Sequence, residues 1–338
     1  MRRVDCQRCG VTVEMAPWCD GNNQLTTTYR WYLAAWAKRL SWSAVGSIFR
    51  TSWDSVCRAV EYAVEWGLRR RDPSGVTALG VDEVAWARRH TYLTRVYDIG
   101  GTTKWLLAVA GERKEASLRS CLEGLGEEVC QGVQYVCSDM GKPYSKVIGE
   151  KLGQAVHVLG RFPVMQMFGK ALDEIRAEEL KRLARGGYES LLRKSRWCFL
   201  KRPENLTDRQ TVKLSAVPKY NLKMVRAYLL REEFQRLWEY KSAGWAGTFL
   251  DEWTVRVMRS RLVPMKKIAY SNRTHRPLIL NWFRARGQLS AGAVEGLNNK
   301  MKLVTRKSYG FRTAKVAKLA LLHNLGHLPE PKRTHRFC

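Results

Sequence analysis

Three acidic residues stand in sequence contexts where carboxylates are uncommon. Asp82 lies within the apolar run ALGVDEVAW, Asp139 ends the run VQYVCSDM, and Glu295 lies in VEGLNNKMK, just before the basic stretch LVTRKSYGFR. A carboxylate in an apolar segment is costly to bury unless a cation or hydrogen bonds replace its hydration. The formal net charge of +28 favours polyanionic partners. We therefore predict that the three carboxylates hold divalent metal ions against a phosphodiester backbone.

The composition narrows the class of protein further. Lys and Arg together number 59 against 31 for Asp and Glu, which predicts salt-sensitive binding to nucleic acid. Anionic membranes would also attract this charge, but no apolar run reaches the roughly 18 residues needed to span a bilayer. The start, MRRVDCQRCG, lacks the apolar stretch of a signal peptide. We predict a cytoplasmic protein of two or three domains with no membrane partner.

The cysteines do not form a disulfide framework. The 9 cysteines are odd in number and scattered along the chain, unlike the paired cysteines of secreted domains. Cys6 and Cys9 form a CxxC pair, and structural zinc takes four ligands. Cys19 is the only nearby candidate for a third ligand. Zinc at Cys6 and Cys9 is therefore not expected from this chain alone.

Residues 23–72 are predicted to form a helix-turn-helix DNA-binding domain. Apolar residues recur at helical spacing in three stretches that are interrupted at Ser41 and at RTSWDS. Thr51 or Ser52 could cap the third helix. A plain helical bundle that joins two domains is the alternative. The candidate DNA-contacting residues near the start of the third helix are Ser52, Trp53, Ser55 and Arg58.

The next part has the pattern of an α/β domain. After a linker at Pro73, the periodicity predicts three antiparallel strands, then helix, strand, helix, strand and helix, which is the ribonuclease-H-like order. Asp82 falls on the first strand and Asp139 at the end of the fourth, and these strands are neighbours in that topology. We therefore predict a ribonuclease-H-like catalytic domain with a helical insertion, preceded by a small helix-turn-helix domain.

The predicted domain boundaries follow from these patterns. They are 1–22 for a partial cysteine knuckle, 23–72 for the helix-turn-helix domain, 76–170 for the first part of the ribonuclease-H-like core, 171–285 for the helical insertion, and 286–338 for the last catalytic helix with a basic C-terminal segment. Trp238, Trp245 and Trp253 in the insertion are predicted to be core residues.

Several segments together resemble one known family. They are GVDEVAW, YLTRVYD, SDM followed by Tyr144, ALDEIR, VEGLNNKMKLVTRKSYGFR and LALLHNLGHLPEPKRTHRF. In this order they resemble the bacterial insertion-sequence DDE transposases of the ISL-three family. The resemblance implies metal-dependent DNA cleavage and strand transfer at insertion-sequence ends. It also implies that Asp82, Asp139 and Glu295 are both the catalytic and the metal-binding residues.

The resemblance further implies the cofactor and the partners. Asp82 would bridge two Mg²⁺ or Mn²⁺ ions, Asp139 would bind one of them, and Glu295 the other. The partners would be terminal-repeat DNA and target DNA, bound by a homo-oligomer. Asn298 follows Glu295 by about one helical turn and could touch DNA or support Glu295. The other predicted DNA contacts in this segment, for which a solvated basic face is the alternative, are Lys300, Lys302, Arg306 and Lys307.

Two departures from the family pattern motivate an alternative. Family members usually begin with a longer cysteine-rich zinc module, and this sequence starts at its second CxxC pair. The family's Asp-Arg-Phe-His motif reads Gly-Arg-Phe-Pro here, with Gly160 and Pro163 replacing the two polar side chains. The alternative is a catalytically impaired or inactive copy that binds element-end DNA without cutting it.

Overall fold

The computed structural model describes residues 3–13, 24–87, 91–112, 114–138, 142–186, 198–199, 201, 203–216, 223–285 and 291–331. They divide into two compact units, Met1–Gly132 with Val294–Cys338, and Val133–Ala293. The strands are β1 (Arg3–Cys6), β2 (Gly10–Val13), β3 (Ala78–Ala87), β4 (Thr91–Asp98), β5 (Trp105–Gly111), β6 (Tyr135–Cys137) and β7 (Val156–Val158).

The helices make up most of the fold, which is mixed α/β and rich in helix. They are α1 (Thr27–Ala37), α2 (Trp42–Ile48), α3 (Trp53–Arg70), α4 (Glu115–Leu125), α5 (Glu127–Gly132), α6 (Lys142–Lys151), α7 (Arg161–Arg185), α8 (Asp208–Ala216), α9 (Lys223–Gln235), α10 (Ala243–Arg259), α11 (Val263–Thr274), α12 (Arg276–Arg284), α13 (Ala291–Lys307) and α14 (Ala314–Leu325). Within the described ranges, no helix has the length and apolarity needed to cross a bilayer.

Each of the first three helices begins at a hydroxyl cap. The side chains of Thr26, Ser41 and Ser52 accept backbone N–H groups in the first turns of α1, α2 and α3. Such caps satisfy donors that the helix itself leaves unpaired. Ser52 therefore caps α3, a choice that the sequence left open. The turn into α3 is tight, because a Cβ on Gly46 would lie 2.9 Å from the carbonyl oxygen of Thr51.

Three strands of the first unit, β3, β4 and β5, form an antiparallel meander. β3 pairs with β4, and β4 pairs with β5, as the predicted strand order requires. Asp98 ends β4 and shapes the loop to β5, since its carboxylate accepts from Gly100 N at 2.9 Å and from Trp105 Nε1 at 2.8 Å. The prediction of a single helix after β5 is wrong. Gly126 adopts φ +91° and divides this segment into α4 and α5.

The second unit combines a parallel strand pair with a helical core. β6 and β7 pair in parallel, with Val136 opposite His157. Trp253 is 0% exposed and Trp238 7% exposed, so the prediction that these two are core residues is confirmed. The same prediction for Trp245 is wrong, because that side chain is 70% exposed. Trp245 lies in the first turn of α10, and the buried residues of that helix begin at Ala246.

Side-chain hydrogen bonds join α1 to the C-terminal helices in the first unit. Lys307, at the end of α13, donates from Nζ to the carbonyl oxygen of Lys38 at 2.7 Å, to that of Ala37 at 3.3 Å and to Asn324 Oδ1 at 3.0 Å. Lys38 itself pairs with Glu330. These bonds satisfy carbonyl groups at the end of α1, so Lys307 joins α1 to the C-terminal helices.

His323 is buried near Lys38 and Lys307. We expect it to make the free energy of unfolding depend on pH. Burial, with repulsion from Lys38 and Lys307, lowers the pKa of its imidazole to about 3. The ordinary pKa of about 6.5 applies to the unfolded chain. Below pH 6.5 the unfolded state therefore binds a proton at His323, whereas the folded state does not. The free energy of unfolding falls by up to about 1.4 kcal/mol for each pH unit that the pH is lowered.

Urea unfolding at pH 6.5 and pH 5 checks this expectation. The chain should lose about 2 kcal/mol more stability over that interval than a His323→Gln variant, which cannot take up the proton. Other titrating groups contribute equally to both proteins. Equal losses in the two proteins would contradict the assignment.

Candidate active site

The candidate site is centred on Asp82. Asp82 lies on β3 directly opposite Arg95 on β4. Arg95 Nη2 donates to Asp82 Oδ2 at 3.0 Å, and the two side chains are 1% and 19% exposed. A buried arginine and a partly exposed carboxylate compensate each other's lost hydration. The buried Arg95 thus holds Asp82 in place, while the carboxylate of Asp82 stays accessible to solvent.

Arg95 is itself fixed on more than one side. Its Nη1 donates to Tyr97 Oη at 2.7 Å and contacts Met301 Sδ at 2.9 Å. Burial raises the pKa of Tyr97 to about 12, so this hydroxyl stays protonated and neutral at pH 7. Sequence reasoning missed Arg95. The available signal was an arginine inside the apolar strand YLTRVYD, which becomes meaningful only once it is paired with Asp82.

Asn298 brings α13 to the same carboxylate. Its Nδ2 donates to Asp82 Oδ2 at 2.5 Å. Glu295 lies three residues earlier on α13, and positions three apart share a face of a helix. The structure therefore brings Asp82 together with the helix segment that carries Glu295. The side chain of Glu295 and the whole of Asp139 lie outside the described residues.

The described neighbours of Asp139 are in the second unit. Ser138 precedes it, and the Ser138 hydroxyl lies 2.7 Å from His157 Nε2. Asn281 Nδ2 donates to the carbonyl oxygen of His157 at 2.9 Å. Burial lowers the pKa of His157 to about 4, so its ring is neutral at pH 7. The contact with Ser138 agrees with the prediction that His157 is a satisfied histidine, but the residue is half-buried and not fully in the core.

Gly160 and Pro163 occupy the start of α7. Gly160 is the N-cap residue and offers no side-chain cap. Pro163 lies in the first turn, where the helix tolerates a missing N–H. An Asp at an N-cap would bond the N–H of the second or third helical residue, and Pro163 is the third. Both polar groups of the family motif are absent, and α7 still begins without a break.

The residues described around Asp82 fit a divalent cation. Carboxylate and amide oxygens suit Mg²⁺ or Mn²⁺. Asn298 Oδ1 is buried next to Asp82 and has no hydrogen-bond partner among the described residues, so it is a further oxygen that could face a cation. No cluster of three metal-binding side chains occurs in the described part of the chain, from which Asp139 and the Glu295 side chain are missing.

The predicted DNA contacts fall into two groups. Ser52, Arg58, Lys300, Lys302 and Arg306 are exposed, and Trp53 and Ser55 are half-buried. Lys307 differs from these, because its ammonium is held by the three acceptors described above. Burial also lowers the pKa of Lys307. Its contact with DNA stays a prediction, and the structure gives it a packing role.

The cysteine pair forms a short turn between β1 and β2. Cys9 Sγ lies 3.2 Å from Cys6 Sγ, and Gly10 adopts φ +71°. A hydrogen bond from the backbone amide of Arg8 lowers the pKa of the Cys6 thiol. Cys19 lies outside the described residues, so the prediction about zinc stays open.

Comparison with known proteins places the chain in a family. The family model of ISL-three DDE transposases, described as "Transposase", matches residues 79–321. The transposase for insertion sequence element IS1557 of Mycobacterium tuberculosis is 30% identical, over 97% of this chain and 78% of that protein. The transposase for insertion sequence element IS1001 of Bordetella parapertussis is 27% identical, over 92% and 76% respectively. The chain belongs to the ISL-three family of insertion-sequence transposases.

Membership in this family indicates the general function of the chain. The chain is a transposase, and DNA is therefore its partner. Transposases of the DDE type cut and join DNA and generally use divalent metal ions. The alternative of a copy that only binds DNA is not favoured by these comparisons.

Proposed function

We propose that Asp82, Asp139 and Glu295 form the metal-binding catalytic triad of this transposase. The observation that carries the proposal is the contact between Asn298 and Asp82, because it places the helix of Glu295 beside the strand of Asp82. The proposal also includes a ribonuclease-H-like core and the predicted domain boundaries. The predicted boundary between residues 170 and 171 falls inside α7, which runs across it without a break. Bound Mg²⁺ or Mn²⁺ would activate a water or a 3′-hydroxyl and stabilise the leaving oxygen.

The protein's own residues would orient the site before metal binds. Arg95 fixes Oδ2 of Asp82 from the buried side, and the backbone N–H of Glu83 donates to Oδ1 at 2.8 Å. Asn298 approaches the same carboxylate from α13. A carboxylate held by such partners loses little freedom when it coordinates a cation. Arg95 and Asn298 are therefore positioning residues for Asp82.

We also propose that α1–α3 bind element-end DNA as a helix-turn-helix domain. The three capped helices, the tight turn at Gly46 and the exposed Arg58 support this. Lys300, Lys302 and Arg306 would add phosphate contacts along α13. Because Lys307 joins α1 to α13 and α14, the test belongs in the full chain. A homo-oligomer on paired element ends is part of the same proposal.

Cleavage of DNA that carries the flanking inverted repeats tests the function. We expect strand cleavage with Mg²⁺ or Mn²⁺, none with EDTA, and none on a scrambled sequence of equal length. Arg58→Ala should weaken binding to the repeat DNA more than binding to the scrambled DNA, because base-edge contacts carry the specificity. Cleavage that is independent of divalent metal would refute the proposed chemistry. An unchanged preference in Arg58→Ala would favour a plain helical bundle.

A further inference from the structure

An aromatic groove in the first unit takes no part in the proposed metal chemistry, and it shares Trp53 with the predicted DNA contacts. Its volume is about 780 Å³, which is within the usual range for small-molecule sites. It is lined by residues from α2, α3, β3, the loop between α13 and α14, and α14 itself. The lining residues that matter here are Trp42, Trp53, Asp54, Trp86, Tyr309 and Arg312.

The tryptophans are held in place by the surrounding structure. Trp42 and Trp53 pack against each other with ring centroids 5.6 Å apart. Ala85 pairs with Tyr92 and Ala87 with Thr91, so Trp86 is the extra residue of a β-bulge in β3. A bulge redirects a side chain from the regular alternation of a strand. The position of Trp86 in the groove therefore depends on a β-bulge in the same strand that carries Asp82.

Tyr309, in the loop between α13 and α14, lines the groove and is almost entirely exposed. Its side chain is 94% exposed, and its backbone adopts φ +53°. An aromatic residue in the left-handed region is an outlier with a strain cost. A large ring kept in solvent at that cost contributes little to packing. It is available to a ligand.

We propose that this groove binds an unstacked base of the transposon DNA. Base faces inside a duplex are covered by their neighbours, so a concave aromatic site can take only a base that has left the stack. Arg312, which is exposed at the groove, can meet the adjoining phosphate, and Asp54 can accept from an exocyclic amino group. The formal net charge of +28 favours a polyanionic ligand over an apolar partner surface.

The position of the groove relative to Asp82 follows from chain geometry. Trp86 is four residues beyond Asp82 on β3, which corresponds to about 13 Å of strand. Ser308, at the groove, is ten residues beyond Asn298, which corresponds to about 15 Å of helix. The groove would therefore lie within about 15 Å of the proposed metal site. This distance rests on the proposed role of Asp82, whereas base binding itself does not.

The full-length protein in EDTA separates these two inferences, because binding is measured without cleavage. The probe is a 12-nucleotide thymidine strand with one central 2-aminopurine and a fluorescent end label, used alone and paired with its complement. Tyr309→Ala removes an exposed ring, and Trp86→Phe keeps an aromatic side chain at the bulge. Trp245→Ala is the matched control, because Trp245 is an exposed tryptophan of the second unit.

We expect Tyr309→Ala to weaken single-strand binding by about 5- to 150-fold, the usual range for one stacked base. Duplex binding should change by less than about twofold. Trp86→Phe should lose part of the 2-aminopurine quenching, and Trp245→Ala should match the unchanged protein. Equal weakening on both probes, or no change on either, would overturn the proposal. It would also be overturned if Tyr309→Ala merely dissociated a dimer in sedimentation.

The same variants keep this proposal distinct from the catalytic one. If Asp82→Asn still cleaves DNA while Tyr309→Ala loses the single-strand preference, the triad is wrong and the base site stands. If Asp82→Asn is inactive and Tyr309→Ala binds both probes normally, the triad stands and the base site is wrong.

Discussion

Asp82→Asn is expected to lower the strand-cleavage rate by about 1000-fold or more, which corresponds to about 4 kcal/mol of lost transition-state stabilisation. The amide carries no charge to hold a divalent cation. It also leaves the fully buried Arg95 without its counter-charge, and this costs folding stability. The measurement is the single-turnover rate on repeat-bearing DNA at fixed Mg²⁺ and salt.

Two further variants separate catalysis from folding. Asp82→Glu keeps the negative charge near Arg95 but moves the carboxylate by one methylene group. It should remain folded and still lose about 100-fold in rate, since misplacing a reacting group by about 1 Å costs about that much. Glu83→Gln is the adjacent control, because neighbouring strand residues point to opposite faces, and it should retain activity. A folded Asp82→Asn protein that cleaves within tenfold of the unchanged chain would exclude Asp82 from the triad.

The second large effect is expected from restoring the two polar residues at the start of α7. The double variant Gly160→Asp with Pro163→His should raise the cleavage rate by about 10- to 100-fold, the usual contribution of groups that orient metal ligands. The introduced aspartate would supply the N-cap side chain that α7 lacks, and the introduced histidine would restore a backbone N–H in its first turn. Binding to DNA should not change, because the basic residues of α3 and α13 are untouched.

The single variants and a capping control sharpen that comparison. Gly160→Asp alone should gain less than the pair, because Pro163 has no N–H to donate to the new cap. Gly160→Asn with Pro163→His restores the cap without the carboxylate, so it should gain stability and little rate. Equal, robust cleavage by the unchanged chain and the double variant would show that the motif is dispensable here.

Short-range sequence signals are enough to predict the secondary-structure elements and to single out the candidate carboxylates. Hydroxyl caps, Gly and Pro breaks and side-chain periodicity act within a few residues, so α1–α3, the meander and the following helices could be predicted. Asp82 could be singled out because a charged residue in an apolar strand needs a partner. The break at Gly126 was missed, since a glycine inside an amphipathic pattern can either continue a helix or end it.

Contacts between residues far apart in the chain could not be predicted in this way. The pairing of Asp82 with Arg95 depends on strand register, and its contact with Asn298 joins residues 216 positions apart. Lys307 and the exposed Lys302 look alike in sequence, yet Lys307 is held by α1 and α14. Burial and pairing are set by packing between elements far apart in the chain, where side-chain type and spacing carry little information.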